Sequence, residues 1–247
     1  MGIPMPPDTP IVFLHAFPLN PSMWEPQLPA LVHRKILTPA FPGFGGRDPG
    51  APSLEAFARS VLEDMDSAGI GEAVFVGLSM GGYVAFRLFE MAPERFRGLV
   101  LADTRAGPDD EAGRKKRTDQ AAKTRQEGVG WLPEALLPAL LGTTSLQERP
   151  RVVKNVRQMM EDSDPEGVAR ALEAMRERPN SLGLLPEIRV PTLVLCGEED
   201  TLTPLAEARI MAEALPGGRL AAIPGAGHLA NLEGPEAFNQ ALLEFLE

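Results

Sequence analysis

The sequence predicts an α/β fold with a mostly parallel, doubly wound sheet. Short, near-continuous apolar runs alternate with stretches of helical periodicity, as a parallel sheet covered on both faces requires. The residues that can carry chemistry fall where the apolar runs end, the edge at which such sheets place their sites. The length of 247 residues suits one α/β domain with an insertion and is enough to bury a substantial core.

Strands are expected at 11–15, 35–39, 73–78, 98–103, 191–197 and 219–223, and helices at 23–32, 53–68, 81–91, 204–214 and 235–246. The first strand, Ile11-Val12-Phe13-Leu14, closes on His15. The third, Ala73-Val74-Phe75-Val76, runs into Gly77-Leu78-Ser79-Met80-Gly81 and then into the helical pattern from Tyr83 to Phe89. A strand feeding a sharp turn and a helix holds the turn serine at the strand's carboxyl end with its hydroxyl exposed. Side chains two residues before and after it would collide, and both positions are glycine. The helix directs its positive N-terminal end at the serine, where an anion would be stabilised.

A nucleophilic serine needs a base, and the chain has three histidines. His33, beside Arg34 and Lys35, reads as a solvated surface residue. His228 follows the short strand at 219–223 through the glycine-rich turn Gly225-Ala226-Gly227, where a side chain can be aimed. The base in turn needs a carboxylate to orient it and to stabilise its charged form. Strand 191–197 leads into Glu198-Glu199-Asp200. Asp200 is the expected acid, ahead of a helix capped by Thr203 with Pro204 at its first position. Glu198 and Glu199 read as solvated turn residues. Asp103, at the end of strand 98–103, is the rival acid.

Between Asp103 and Pro191 the alternation stops and helical patterns take over. Val152, Val153, Val156, Met159 and Met160 recur at helical spacing, as do Val168, Ala171, Leu172 and Met175. Asp164-Pro165-Glu166 marks a helix start. The run from Trp131 to Leu141 is apolar almost all round, as in a helix that lines a pocket. Trp131, Leu136 and Leu140, together with Trp24, are expected substrate contacts. Arg114-Lys115-Lys116-Arg117 reads as a solvated helix face, with attraction of an anionic substrate as the alternative.

A net charge of −10 argues against nucleic acid or an anionic membrane as partner. No apolar run is long enough to span a bilayer, and the start Met1-Gly2-Ile3-Pro4-Met5-Pro6-Pro7 lacks the features of a signal peptide. Cytoplasm is therefore the expected compartment. The one cysteine, Cys196, lies in an apolar strand and reads as core. No clustered His/Cys/Asp set suggests a metal. Pro-rich loops and scarce Asn, Gln and Cys point towards thermostability.

On these residues the chain resembles the α/β-hydrolase superfamily, and within it the small carboxylesterases, 3-oxoadipate enol-lactonases and cofactor-free haloperoxidase-like enzymes. The resemblance rests on His15-Ala16-Phe17-Pro18-Leu19-Asn20 with Met23-Trp24, Phe41-Pro42-Gly43-Phe44-Gly45, and Gly77 to Gly82. It continues through Pro191 to Val194, Gly197 to Asp200, Gly225 to His228 and Glu233-Gly234-Pro235. The order Ser79, Asp200, His228 is the order of this superfamily.

The resemblance implies an α/β-hydrolase fold with a core of 1–103 and 186–247, and a helical lid of 104–185 inserted after the sixth core strand. Members of that superfamily usually carry a strand pair before the first core strand, but here only the Pro-rich residues 1–10 precede Ile11, so the pair is expected to be short or absent. Ser79, Asp200 and His228 become the catalytic residues, and the backbone N–H groups of Phe17 and Met80 the oxyanion hole. Ala16 stands where the family commonly has glycine, and His15 becomes a loop brace. The implied function is hydrolysis of small, largely apolar short-to-medium acyl esters through an acyl-enzyme, by a monomer or homodimer needing neither metal nor organic cofactor. Enol-lactone hydrolysis and perhydrolysis on the same triad remain open, and a non-catalytic binding module more remotely.

Overall fold

The computed structural model describes residues 6–247, so Met1–Met5 of the N-terminal stretch lie outside the described residues. Six strands form one all-parallel sheet: β1 (Ile11–Leu14), β2 (Ile36–Leu37), β3 (Ala73–Leu78), β4 (Phe96–Ala102), β5 (Thr192–Gly197) and β6 (Arg219–Ile223), in the order β2-β1-β3-β4-β5-β6. Ile11 lies opposite Val74, Leu78 opposite Ala102, and Gly197 opposite Ile223. β3 is buried along its whole length and β4 at every residue but Arg97, which explains their unbroken apolar runs. No strand precedes Ile11 among the described residues.

The chain leaves β1 for the edge strand β2 and returns to β3 on the other side of β1. The connections after β1 and β3 therefore diverge at the strands' carboxyl ends, opening the crevice in which such sheets bind ligands. Phe17 and Ser79 stand on those two connections.

Helices α1 (Leu54–Ser67), α2 (Met80–Met91), α8 (Leu205–Ala214) and α10 (Pro235–Leu246) agree with expectation to within a residue at each end. The helix expected at 23–32 does not form. The segment makes two 3-10 turns, Pro21–Trp24 and Leu28–Leu31, because Pro26 and Pro29 lack the N–H groups that a continuous helix needs. The strand expected at 35–39 shrinks to two residues at the sheet edge, with Pro39 just beyond it.

Between β4 and β5 the chain forms α3 (Glu111–Glu127), α4 (Leu132–Leu140), α5 (Thr143–Glu148), α6 (Pro150–Glu161) and α7 (Pro165–Arg176), then a 3-10 turn at Leu182–Glu187. This insertion follows the fourth strand of the chain. Asp110 caps α3 and Asp164 caps α7, each accepting an N–H three residues on. α3 packs along α7, and α4 and α5 pack on α6. A short helix, α9 (Ala230–Glu233), follows His228. No helix among the described residues is long and apolar enough to cross a membrane.

Candidate active site

Ser79 sits between β3 and α2 with φ 55° and ψ −113°, a conformation that L-residues rarely adopt and that the surroundings must impose. Its amide donates to the Ala102 carbonyl at 2.9 Å, and its own carbonyl accepts from the Thr104 hydroxyl at 2.8 Å. A Cβ on Gly77 would fall on the Gly81 carbonyl, and one on Gly81 would fall on the Leu14 carbonyl. The two glycines thus let the turn close against β1.

Three side chains from three strand ends meet in line. The Ser79 hydroxyl lies 2.8 Å from His228 Nε2, and His228 Nδ1 lies 2.8 Å from Asp200 Oδ2. Ser79 is 9%, Asp200 4% and His228 3% exposed, so these contacts are made with little competing water. Asp200 Oδ1 accepts the N–H groups of Leu202 and Thr203 at 2.8 and 3.0 Å, and Oδ2 also accepts the Thr203 hydroxyl at 2.6 Å. Burial opposes the charged carboxylate, but the neighbouring imidazole and these donors outweigh it and hold the Asp200 pKa below the ordinary value.

Thr203 was expected to cap α8 and does not. Pro204 is the residue before that helix, and the Thr203 hydroxyl turns inward, 3.2 Å from His228 Nδ1 as well as onto Asp200. A threonine ahead of a proline and an apolar helix carries a capping signal, and no sequence signal distinguishes it from a threonine that orients a carboxylate.

Asp103 does not touch His228. It has a positive φ of 43°, and its carboxylate accepts N–H groups from Gly197 at 2.7 Å and Ala230 at 3.3 Å. It thereby joins the ends of β4 and β5 to the segment after His228. Burial, then the nearby Asp200 charge, raise its pKa well above the carboxylate range despite the two N–H donors. Cys196 is buried beside both acids, and burial followed by their charges pushes its thiol pKa up.

The amides of Phe17 and Met80 find no acceptor among the described residues, and both residues stand on the connections that open the crevice. Ala16 has a negative φ, so alanine fits there. His15 is fully buried, with Nδ1–H donating to the Ala16 carbonyl at 3.0 Å and Nε2 accepting from Phe41 N–H at 3.1 Å. Burial lowers its pKa to about 4 against the partial support of the Ala16 carbonyl. His33 is exposed.

A cavity of about 360 Å³ opens over Ser79 and His228. Leu136 and Leu140 line it, together with Phe17, Tyr83 and Thr203. Trp24 and Trp131 do not, which corrects the expectation for both. Trp24 is fully buried against Phe13 and Phe238, at ring separations of 4.7 and 6.2 Å. Trp131 packs beside α3, with Lys123 4.8 Å from its ring centre. α4 is not apolar all round in its setting either, since Glu134, Ala135 and Pro138 are exposed. Glu198 is exposed as expected, whereas Glu199 is half-buried and accepts both the amide and the hydroxyl of Thr144. In the basic cluster, Arg114 pairs with Glu177, Lys115 with Asp119 and Arg117 with Asp109.

Sheet, turn and crevice together define a hydrolase of the α/β type, and the chain belongs to the alpha/beta hydrolase fold family, whose model matches residues 9–235. Among solved structures, a thermophilic esterase from Thermogutta terrifontis is 38% identical with a TM-score of 0.93, over 96% of this chain and 89% of that one. The enol-lactonase from Burkholderia xenovorans LB400 is 30% identical with a TM-score of 0.90, over 97% and 91%. A pimeloyl-[acyl-carrier protein] methyl ester esterase from Aromatoleum aromaticum is 30% identical over 92% of this chain and 93% of its own length.

Proposed function

We propose that the chain is a carboxylic ester hydrolase of small substrates, working through an acyl-enzyme on Ser79. The observation that carries the reading is the line Ser79 Oγ to His228 Nε2 to Asp200, with both contacts at 2.8 Å. In this mechanism His228 takes the Ser79 proton as the oxygen attacks the ester carbonyl. The carbonyl oxygen gains negative charge and is held by the Phe17 and Met80 amides, assisted by the positive end of α2. His228 then gives its proton to the departing alcohol. Water enters, His228 deprotonates it, and a second tetrahedral step releases the acid and restores Ser79. Asp200 holds the imidazole in the tautomer that presents Nε2 to the serine and offsets its charge when protonated.

Residues 104–185 act in this proposal as a lid over a core of 1–103 and 186–247, with Leu136 and Leu140 against the acyl chain. A lactone is a cyclic ester and passes through the same steps. The likeness to an enol-lactonase at 30% identity makes lactone opening the second reading. The test is turnover of p-nitrophenyl esters of graded acyl length by the wild type and Ser79→Ala. Serine-dependent hydrolysis with a chain-length optimum supports the proposal. A fluorophosphonate that fails to label Ser79 would overturn it.

A further inference from the structure

The cavity over Ser79 has two walls of opposite chemistry. α4 contributes Ala135, Leu136, Ala139 and Leu140, an apolar face. α3 contributes Gly113, Lys116, Arg117 and Gln120, spaced i, i+3, i+4 and i+7 along one side of a helix. Arg105 and Asp109, from the segment joining β4 to α3, complete this second wall.

The charges on the polar wall do not balance. The Asp109 carboxylate, 3% exposed, is met by three guanidinium groups: Arg105 at 3.0 Å, Arg178 at 2.8 Å, and Arg117. Arg117 and Arg178 overcome the burial of Asp109 and hold its pKa below the ordinary value. Glu207 is the other carboxylate that acts on Arg105. Lys116 has no carboxylate within 4.0 Å among the described residues, and the buried Arg105 Nε has no acceptor there. Three cations, Arg105, Lys116 and Arg117, thus line this partly desolvated wall beside the single carboxylate of Asp109, in a chain whose net charge is −10. Holding Asp109 needs fewer than three arginines and does not need Lys116 or Gln120. Excess positive charge in a cleft is unfavourable until an anion neutralises it, and it concentrates anions there.

We propose that this wall is an anion subsite, so that the preferred substrate is an ester carrying a carboxylate on the far side of the apolar face from Ser79. The proposal rests on the ester-hydrolase reading and narrows it. Arg105 and Lys116 receive the carboxylate, and Leu136 and Leu140 line the carbon chain between it and the reacting carbonyl.

The test compares kcat/KM for monomethyl esters of short dicarboxylic acids with that for the matching dimethyl esters, and for O-acetyl hydroxy acids with that for their methyl esters. The first pair places the carboxylate on the acyl side and the second on the alcohol side. The expected result is a preference of about tenfold or more for the charged member of one pair, shrinking as salt rises. That ratio should fall towards one in Lys116→Gln and in Arg105→Gln. Lys116 is exposed, so its replacement keeps the test sound should Arg105→Gln fail to fold. Lys115→Gln, on an outward position paired with Asp119, should leave the ratio unchanged. Equal or better turnover of the neutral member in both pairs, with activity still dependent on Ser79, overturns the subsite. Absence of Ser79-dependent turnover on every ester overturns the ester-hydrolase reading instead.

Discussion

The buried Glu233 carboxylate accepts the Gly142 amide on Oε2 at 2.8 Å and the Leu229 amide on Oε1 at 3.1 Å. One side chain thus fastens the end of α4 to the residue after His228. The same seam is reinforced by His228 N–H donating to the Leu140 carbonyl at 3.1 Å, Arg149 donating to the Gly225 carbonyl at 2.6 Å, and Glu199 accepting from Thr144. The inserted helices cannot move at Gly142 without disturbing the His228 loop.

Glu233→Gln should lower both kcat and Tm. An amide carries one oxygen, so one of the two N–H groups would face an NH₂ and lose its acceptor, a loss of about 1–3 kcal/mol. Thermal melts and steady-state kinetics on the same ester check this. Unchanged values for both would show the seam to be dispensable.

Ser79→Ala and His228→Ala should each reduce kcat by about 10³-fold or more, and the double variant should lose little further, because the residues act as a unit. Asp200→Asn should be severe, as the amide favours the wrong imidazole tautomer. Asp103→Asn should act chiefly on Tm, since its carboxylate meets backbone amides rather than His228. A larger rate loss for Asp103→Asn than for Asp200→Asn would reassign the acid.

Thr203→Val keeps the shape and removes a hydroxyl that touches both Asp200 and His228. Asp200 retains its two backbone donors and the imidazole, so the expected loss in kcat is moderate, roughly tenfold. The loss of one donor to the carboxylate should also move the acid limb of the kcat/KM profile upward in pH. A profile identical to wild type would reduce Thr203 to packing.

His15 should make stability depend on acidity. Its folded pKa of about 4 lies below the ordinary 6.5, so folding favours the neutral ring. Its contribution is complete above about pH 6.5 and is lost as pH falls towards 4, about 3 kcal/mol in all. Asp103 works in the opposite sense. With its folded pKa raised, its contribution is present at low pH and lost as pH rises through that value. The two oppose each other in mildly acidic solution, so the readout is the difference between wild type and His15→Gln in denaturant midpoints between pH 4 and 7. Parallel curves would show that His15 does not titrate as its burial requires.

Much of this molecule is legible in its linear sequence because the deciding physics is local. The apolar runs that become β1, β3, β4 and β5, and the strand-turn-helix context of Ser79, each lie within a few residues. The paired glycines are legible because the turn would otherwise collide with its own helix and with β1. The Ser79, Asp200, His228 order emerges because each residue ends a recognisable strand.

Tertiary packing decided the rest. Trp24 became core because Phe238, from the far end of the chain, closes over it, and Trp131 was drawn to α3 by the way the inserted helices pack. Glu199, Glu233 and Asp103 each bind a backbone amide 55, 91 and 94 residues away, and no window of sequence contains both partners. The excess of cations along one cavity wall arises likewise, where the face of α3 meets Arg105. Residue type sets what a side chain can do. Which atoms it meets is a property of elements brought together by the sheet, and burial then determines how strongly they interact.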